Sequence, residues 1–146
     1  MKKIIHPLAG TIAILTIAAF WLSTVLVELF APAYVVTVKT LIPWGFSLLI
    51  PALAATGGTG FALAAARKGR LISDKTKRMK LIAANGIFIL APSALFLSYK
   101  AQGGEFDIIF YVIQVLELLA GAINLTLMTM NMKDGLRMNG RFKSRG

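Results

Sequence analysis

Four long runs free or nearly free of charge leave this chain few choices of fold. Residues 4–27, 40–66 and 81–99 contain no Lys, Arg, Asp or Glu, and residues 108–132 contain Glu117 alone. A membrane-crossing helix needs about 20 mostly apolar residues, and each run is close to that length or beyond it. Of the 146 residues, 57% are hydrophobic and only 15% are charged, where soluble domains hold about a quarter charged. The expected fold is an all-α membrane protein with four transmembrane helices in an up-down-up-down bundle. The spans are expected at about 5–30, 40–66, 81–99 and 106–132, forming a single domain over residues 1–146.

The net charge of +10 would suggest nucleic acid in a soluble chain, but its placement points elsewhere. Lys2 and Lys3 precede the first run, a basic loop at 67–80 separates the second from the third, and a basic tail at 133–146 follows the fourth. Of the 16 lysines and arginines only Lys39 and Lys100 fall on the other side. The positive-inside rule then places both termini and the 67–80 loop in the cytoplasm. The expected location is a bacterial-type inner membrane. The expected partners are the bilayer, with anionic lipid headgroups at the basic loops, and no nucleic acid. The first run ends in a small Ala31-Pro32-Ala33 site, but signal-peptide apolar regions span only about 7–15 residues. It is therefore expected to be retained as the first span. With no cysteine in the chain, disulfides, thiolate catalysis and covalent haem attachment are excluded.

Polar residues inside the spans are the candidate working parts. In the fourth run Gln114, Glu117, Gly121, Asn124, Met128 and Asn131 recur at steps of three and four, which fall on one helix face. Glu117 lies about 15 Å from the outer end of its helix at 1.5 Å per residue. A carboxylate at that depth is costly and turns toward protein or water. Asn85, Thr56 and Thr59 lie at depths comparable to Asn124 and Asn131 and are expected to join them in an interhelical network. His6, Gly10, Ala13, Ile17, Thr24 and Glu28 share the expected inward face of the first helix. Glu28 and Lys39 flank an outer loop at 31–38 and are expected to pair across it.

In the second run Ala52, Thr56, Gly60 and Ala64 form a small-residue ladder suited to close helix packing, and Gly121 is a further packing position. The Thr56–Gly60 stretch superficially resembles a phosphate-binding glycine loop, but neither a preceding strand nor a following Lys-Ser/Thr is present. His6 is the one histidine and lies level with Met128, Met130 and Met132. Haem b held by His and Met, or a quinone, is therefore weighed against a headgroup-zone histidine with methionines filling gaps. The four-span size is similar to that of succinate-dehydrogenase anchor subunits, yet those carry several intramembrane histidines and this chain has none deep in a span. No cofactor is expected. No Ser/His/Asp set, metal-spaced cluster or carboxylate dyad is present, so no enzymatic activity is expected. The expected function is that of a small membrane protein acting through helix packing, as a homo-oligomer or an accessory subunit. The alternatives are a proton-coupled transporter or channel in which Glu117 titrates, and a haem- or quinone-binding electron-transfer subunit.

Overall fold

The computed structural model describes residues 1–138, and its regular structure there is entirely helical. α1 spans Lys2–Phe30, with Pro7 early enough that its missing N–H breaks little of the ladder. A single 3₁₀ turn at Pro32–Tyr34 leads directly into α2, Val35–Ala65. The connection is thus shorter than the expected 31–38 loop. Pro32, at the first position of that turn, fixes φ at a helical value, and the chain re-enters helix five residues before residue 40. Lys39 consequently lies inside α2, where it is buried.

The basic loop at 67–80 is also largely helix. After Ala66 the chain turns at Gly69, whose φ of 136° is a conformation that favours glycine. α3, Arg70–Asn85, follows at once. A π-helical turn at Gly86–Leu90 joins it to α4, Ala91–Gln102, so that Arg70–Gln102 forms one 33-residue rod. Pro92 explains the π turn: it has no N–H for the carbonyl one turn earlier and its ring crowds that carbonyl, and the widened turn just before it relieves both. The sequence suggests a break at Pro92; the rod bulges and continues.

α4 closes with paired glycines. Gly104 has φ 69°, its N–H donates to the Ala101 carbonyl, and the Glu105 N–H donates to the Lys100 carbonyl at 2.9 Å. This double closure caps the helix with a left-handed residue. Asp107 then opens α5, Ile108–Met138, accepting the Phe110 N–H at 2.9 Å as an N-cap side chain. Its other oxygen takes a 2.5 Å bond from the Lys100 ammonium. Those two bonds, the ammonium first, hold the Asp107 carboxyl below its ordinary range. α5 continues past Gly135, where the sequence suggests it frays, because Arg78 of α3 grips Asp134 and keeps the last turns packed. Residues 139–146 of the expected tail lie outside the described residues.

Among the described residues, four helical segments are thus long and apolar enough to cross a membrane. The outer surface agrees: Leu15, Leu22, Trp44, Phe88, Ile108 and Leu119 are each more than half exposed, a surface suited to acyl chains rather than water. Trp44, Tyr34, Tyr99 and Tyr111 are exposed near one end, as interfacial aromatics are. α1 packs along α2, and α3 along α5, each pair antiparallel. α4 bridges to α2 and α5, while α2 and α3 touch little. The apolar core falls into two clusters. One joins Ala13, Ile17, Leu49, Ala52, Ile82 and Met128; the other joins Val35, Leu97, Ala101 and Phe110 near the Gly103-Gly104 turn. A polar layer separates them.

Candidate functional site

That layer centres on Lys39. Its side chain is 1% exposed, and its Nζ donates to Glu117 Oε2 at 2.9 Å and to Thr24 Oγ1 at 3.5 Å. The expected Glu28–Lys39 pair does not form, because with α2 starting at Val35 the lysine points into the bundle rather than across a loop. Glu28 Oε1 is instead buried without a partner among the described residues, as is Gln114 Oε1. Helical spacing explains the gathering. Thr24 and Glu28 are one turn apart on α1, Gln114 and Glu117 one turn apart on α5, and Lys39 reaches between them from α2. In hydrocarbon an isolated carboxylate is costly, and the ammonium beside Glu117 supplies the compensating charge.

The remainder of the α5 stripe points inward as its spacing requires: Gln114, Gly121, Asn124, Met128 and Asn131 are all buried. Asn85 Nδ2 donates to Asn124 Oδ1 and to the Ala120 carbonyl, each at 2.8 Å, and Asn124 Nδ2 donates to the Ile82 carbonyl at 3.3 Å. Asn131 accepts from Arg78 Nη1 at 3.1 Å, and the same Nη1 donates to Asp134 Oδ2 at 2.6 Å. These contacts clamp α3 to α5. Thr56 and Thr59 lie outside that network. Their hydroxyls donate to carbonyls one turn back in α2, and their region faces α1 instead. There His6 Nδ1 lies 3.0 Å from the Thr56 carbonyl and 3.2 Å from Thr59 Oγ1. A carbonyl only accepts, so the neutral ring carries its proton on Nδ1, leaving Nε2 as an acceptor.

The Ala52–Thr56–Gly60–Ala64 ladder is used within the chain. A methyl added at Gly10 would meet Thr56 Cγ2 at 3.6 Å, and one at Gly60 would lie 2.6 Å from Met79 Cε and 2.9 Å from His6 Cε1. Gly60 thus admits side chains from α1 and α3 to the α2 backbone. Met79, rather than Met128, Met130 or Met132, is the thioether placed beside His6 at Gly60, a neighbour from another rod that helix depth alone does not identify. Trp21 is a second such residue: its Nε1–H donates to the Leu118 carbonyl at 2.8 Å, and its ring covers Gly121.

Between the α1–α2 pair and the α3–α5 pair lies a cleft of about 680 Å³, within the range of about 300–1,000 Å³ typical of small-molecule sites. Its walls are mostly apolar. Lys3, His6, Arg67 and Lys75 border one end; Trp21, Thr24 and Glu117 border the other. The cleft exists because α2 leans on α4 and diverges from α3, and the π turn lines it through Gly86, Ile87 and Leu90. Among the described residues no three His, Cys, Asp or Glu side chains are grouped to hold a metal ion. The chain matches no protein-family model, no curated protein and no solved structure.

Proposed function

We propose that this is a non-enzymatic, multi-pass membrane protein that holds a membrane-dissolved amphiphile in the cleft between its two helix pairs. The cleft carries the reading: it is large and mostly apolar, and its charged lining residues, Lys3, Arg67 and Lys75 against Glu117, lie at its two ends, as suits an amphiphile. The intramembrane polar residues then have a supporting role. Asn85, Asn124, Asn131 and Lys39–Glu117 fix the helices that form the walls. The small-residue ladder is consumed inside the chain, which favours binding over ladder-mediated oligomerisation. With 14 of the 16 lysines and arginines of the sequence on one side of the apolar runs, the positive-inside rule puts both termini and the basic end of the cleft in the cytoplasm of a bacterial-type inner membrane.

Two glycines test this. A Cβ at Gly57 or at Gly58 meets nothing within 4 Å, yet only Gly57 borders the cleft. Native mass spectrometry of the purified chain should show a bound amphiphile that Gly57→Phe excludes and Gly58→Phe retains. Equal retention by both variants would remove the cleft from the function.

A second reading is favoured by His6. Its Nδ1–H is engaged by a backbone carbonyl, as in many metal-ligating histidines, and Met79 lies beside the ring, so haem ligated by His6 and Met79 has chemical support. Titration of the purified chain with haemin decides it: a Soret shift abolished in His6→Ala would replace the first reading.

A further inference from the structure

The two ends of the cleft differ in charge. Of its lining residues Lys3, Arg67 and Lys75 are cationic and all lie at the basic end, while the one acid, Glu117, lies at the other and is already paired with Lys39. Asp134 attracts the Lys75 ammonium, while Arg67 and Arg78 repel it. Asp134 is held by Arg78, and Lys75 forms no ion pair among the described residues. Its Nζ lies over Gly135, 3.2 Å from where a Cβ there would stand, so α5 offers no side chain at that point. The cluster therefore holds unneutralised positive charge at the mouth of an apolar cavity.

The dimensions select the shape of the occupant. From Lys3 to Trp21, both on α1, the cleft extends about 27 Å at 1.5 Å per residue. Glu117 is about 14 Å into α5 from Ile108 on the same rule, near the centre of a hydrocarbon core about 30 Å thick. From the midplane the cleft thus spans the whole of one leaflet, about 20–22 Å with its headgroups, and a little beyond, enough for the length of one lipid molecule. A flat, compact ligand would leave the deep part empty; a chain-like one fills it.

We infer that the cleft takes a single anionic phospholipid, with its phosphate among Arg67, Lys75 and Lys3 and an acyl chain extending toward Trp21. This rests on the amphiphile-binding reading above and names its ligand class. The phosphate oxygens accept hydrogen bonds from the guanidinium and the two ammonium groups, the charge-assisted kind, and the chain occupies the gap that the sparse packing of α2 on α3 leaves. Being proximal to the cytoplasmic ends of the spans, the site draws from the leaflet richer in anionic lipid.

The experiment uses the full chain in detergent with phosphatidylglycerol and phosphatidylcholine of identical acyl chains, read by native mass spectrometry. Phosphatidylglycerol should be retained at least tenfold more tightly. Arg67→Gln with Lys75→Gln should erase that preference by weakening phosphatidylglycerol more than phosphatidylcholine, whose choline already offsets its phosphate charge, and Gly57→Phe should weaken both lipids. Wild-type protein that binds the two lipids equally would overturn the headgroup assignment, and loss on Gly57→Phe would then leave the cleft reading standing. Lipid binding unaffected by Gly57→Phe would overturn both. Inorganic phosphate competing as strongly as the lipid would also overturn the inference, because the acyl chain would then contribute nothing.

Discussion

At the scale of single residues, Lys39 and Glu117 are the most consequential pair in the bundle. Lys39 is almost fully buried and Glu117 nearly so, and breaking a buried ion pair by removing one partner costs about 3–5 kcal/mol, because the other charge is stranded. Glu117→Gln should therefore destabilise the protein by about that amount in an unfolding titration, through Lys39 rather than through any lost proton carrier. The double variant Lys39→Met with Glu117→Leu removes both charges and is expected to be neutral or more stable, since apolar replacement of buried pairs often gains about 1–4 kcal/mol. A double variant as unstable as the single one would show that the pair itself, not the orphaned lysine, holds the bundle. The inward stripe of α5 was legible from its spacing alone because helical periodicity is local. The partner of Lys39 was not, because it depends on α2 starting at Val35: the sequence suggested a loop through residue 38, and one helical turn reassigns the lysine from the rim to the interior.

At the scale of helices and turns, close approaches decide what can change. A Cβ at Gly45 would come within 2.6 Å of Phe20 Cε1, and Phe20 is itself packed against Phe46. Gly45→Ala should thus lower stability by about 1–3 kcal/mol, the usual cost of overpacking, as read by a shift in thermal unfolding; an unchanged midpoint would mean that α1 and α2 slide freely there. The turn between α4 and α5 responds to pH. The Asp107 carboxyl is held below its ordinary value by the Lys100 ammonium and the Phe110 N–H. A group depressed in the folded state adds stability above its unfolded value, about 3.9, and that contribution fades as the pH falls through the lower folded value. The protection of the Phe110 amide, its exchange rate relative to the unstructured rate at the same pH, should therefore be high at neutral pH and fall only in acid below about 4, and Asp107→Ala, which cannot accept that bond, should lack it at both. The turn glycines and Pro92 were readable as breakers, but not the form each takes. A π bulge and the short link at 66–69 that turns at Gly69 depend on what packs behind them, which one chain's sequence does not display.

At the scale of the whole molecule, the cleft and the membrane orientation belong together. The cleft was not legible in the sequence, because it lies where α2 and α3 pack only sparsely, and periodicity reports only the faces that do meet. Orientation rests on where the basic residues lie, and it determines which leaflet the cationic mouth addresses. Since the chain has no cysteine, single cysteines report sidedness without background. Lys68 and Gly103 are both exposed and sit in the turns at opposite ends of the bundle, and a Cβ at Gly103 meets only ordinary contacts, the nearest at 3.6 Å. In intact cells a membrane-impermeant maleimide should label Gly103→Cys at once and Lys68→Cys only after lysis. The reverse pattern would turn Lys3, Arg67 and Lys75 toward the outer leaflet. The attraction from the cytoplasmic surface potential, about 1 kcal/mol per basic residue near the surface, would then be lost, and the lipid assigned to the cleft would have to come from the wrong side.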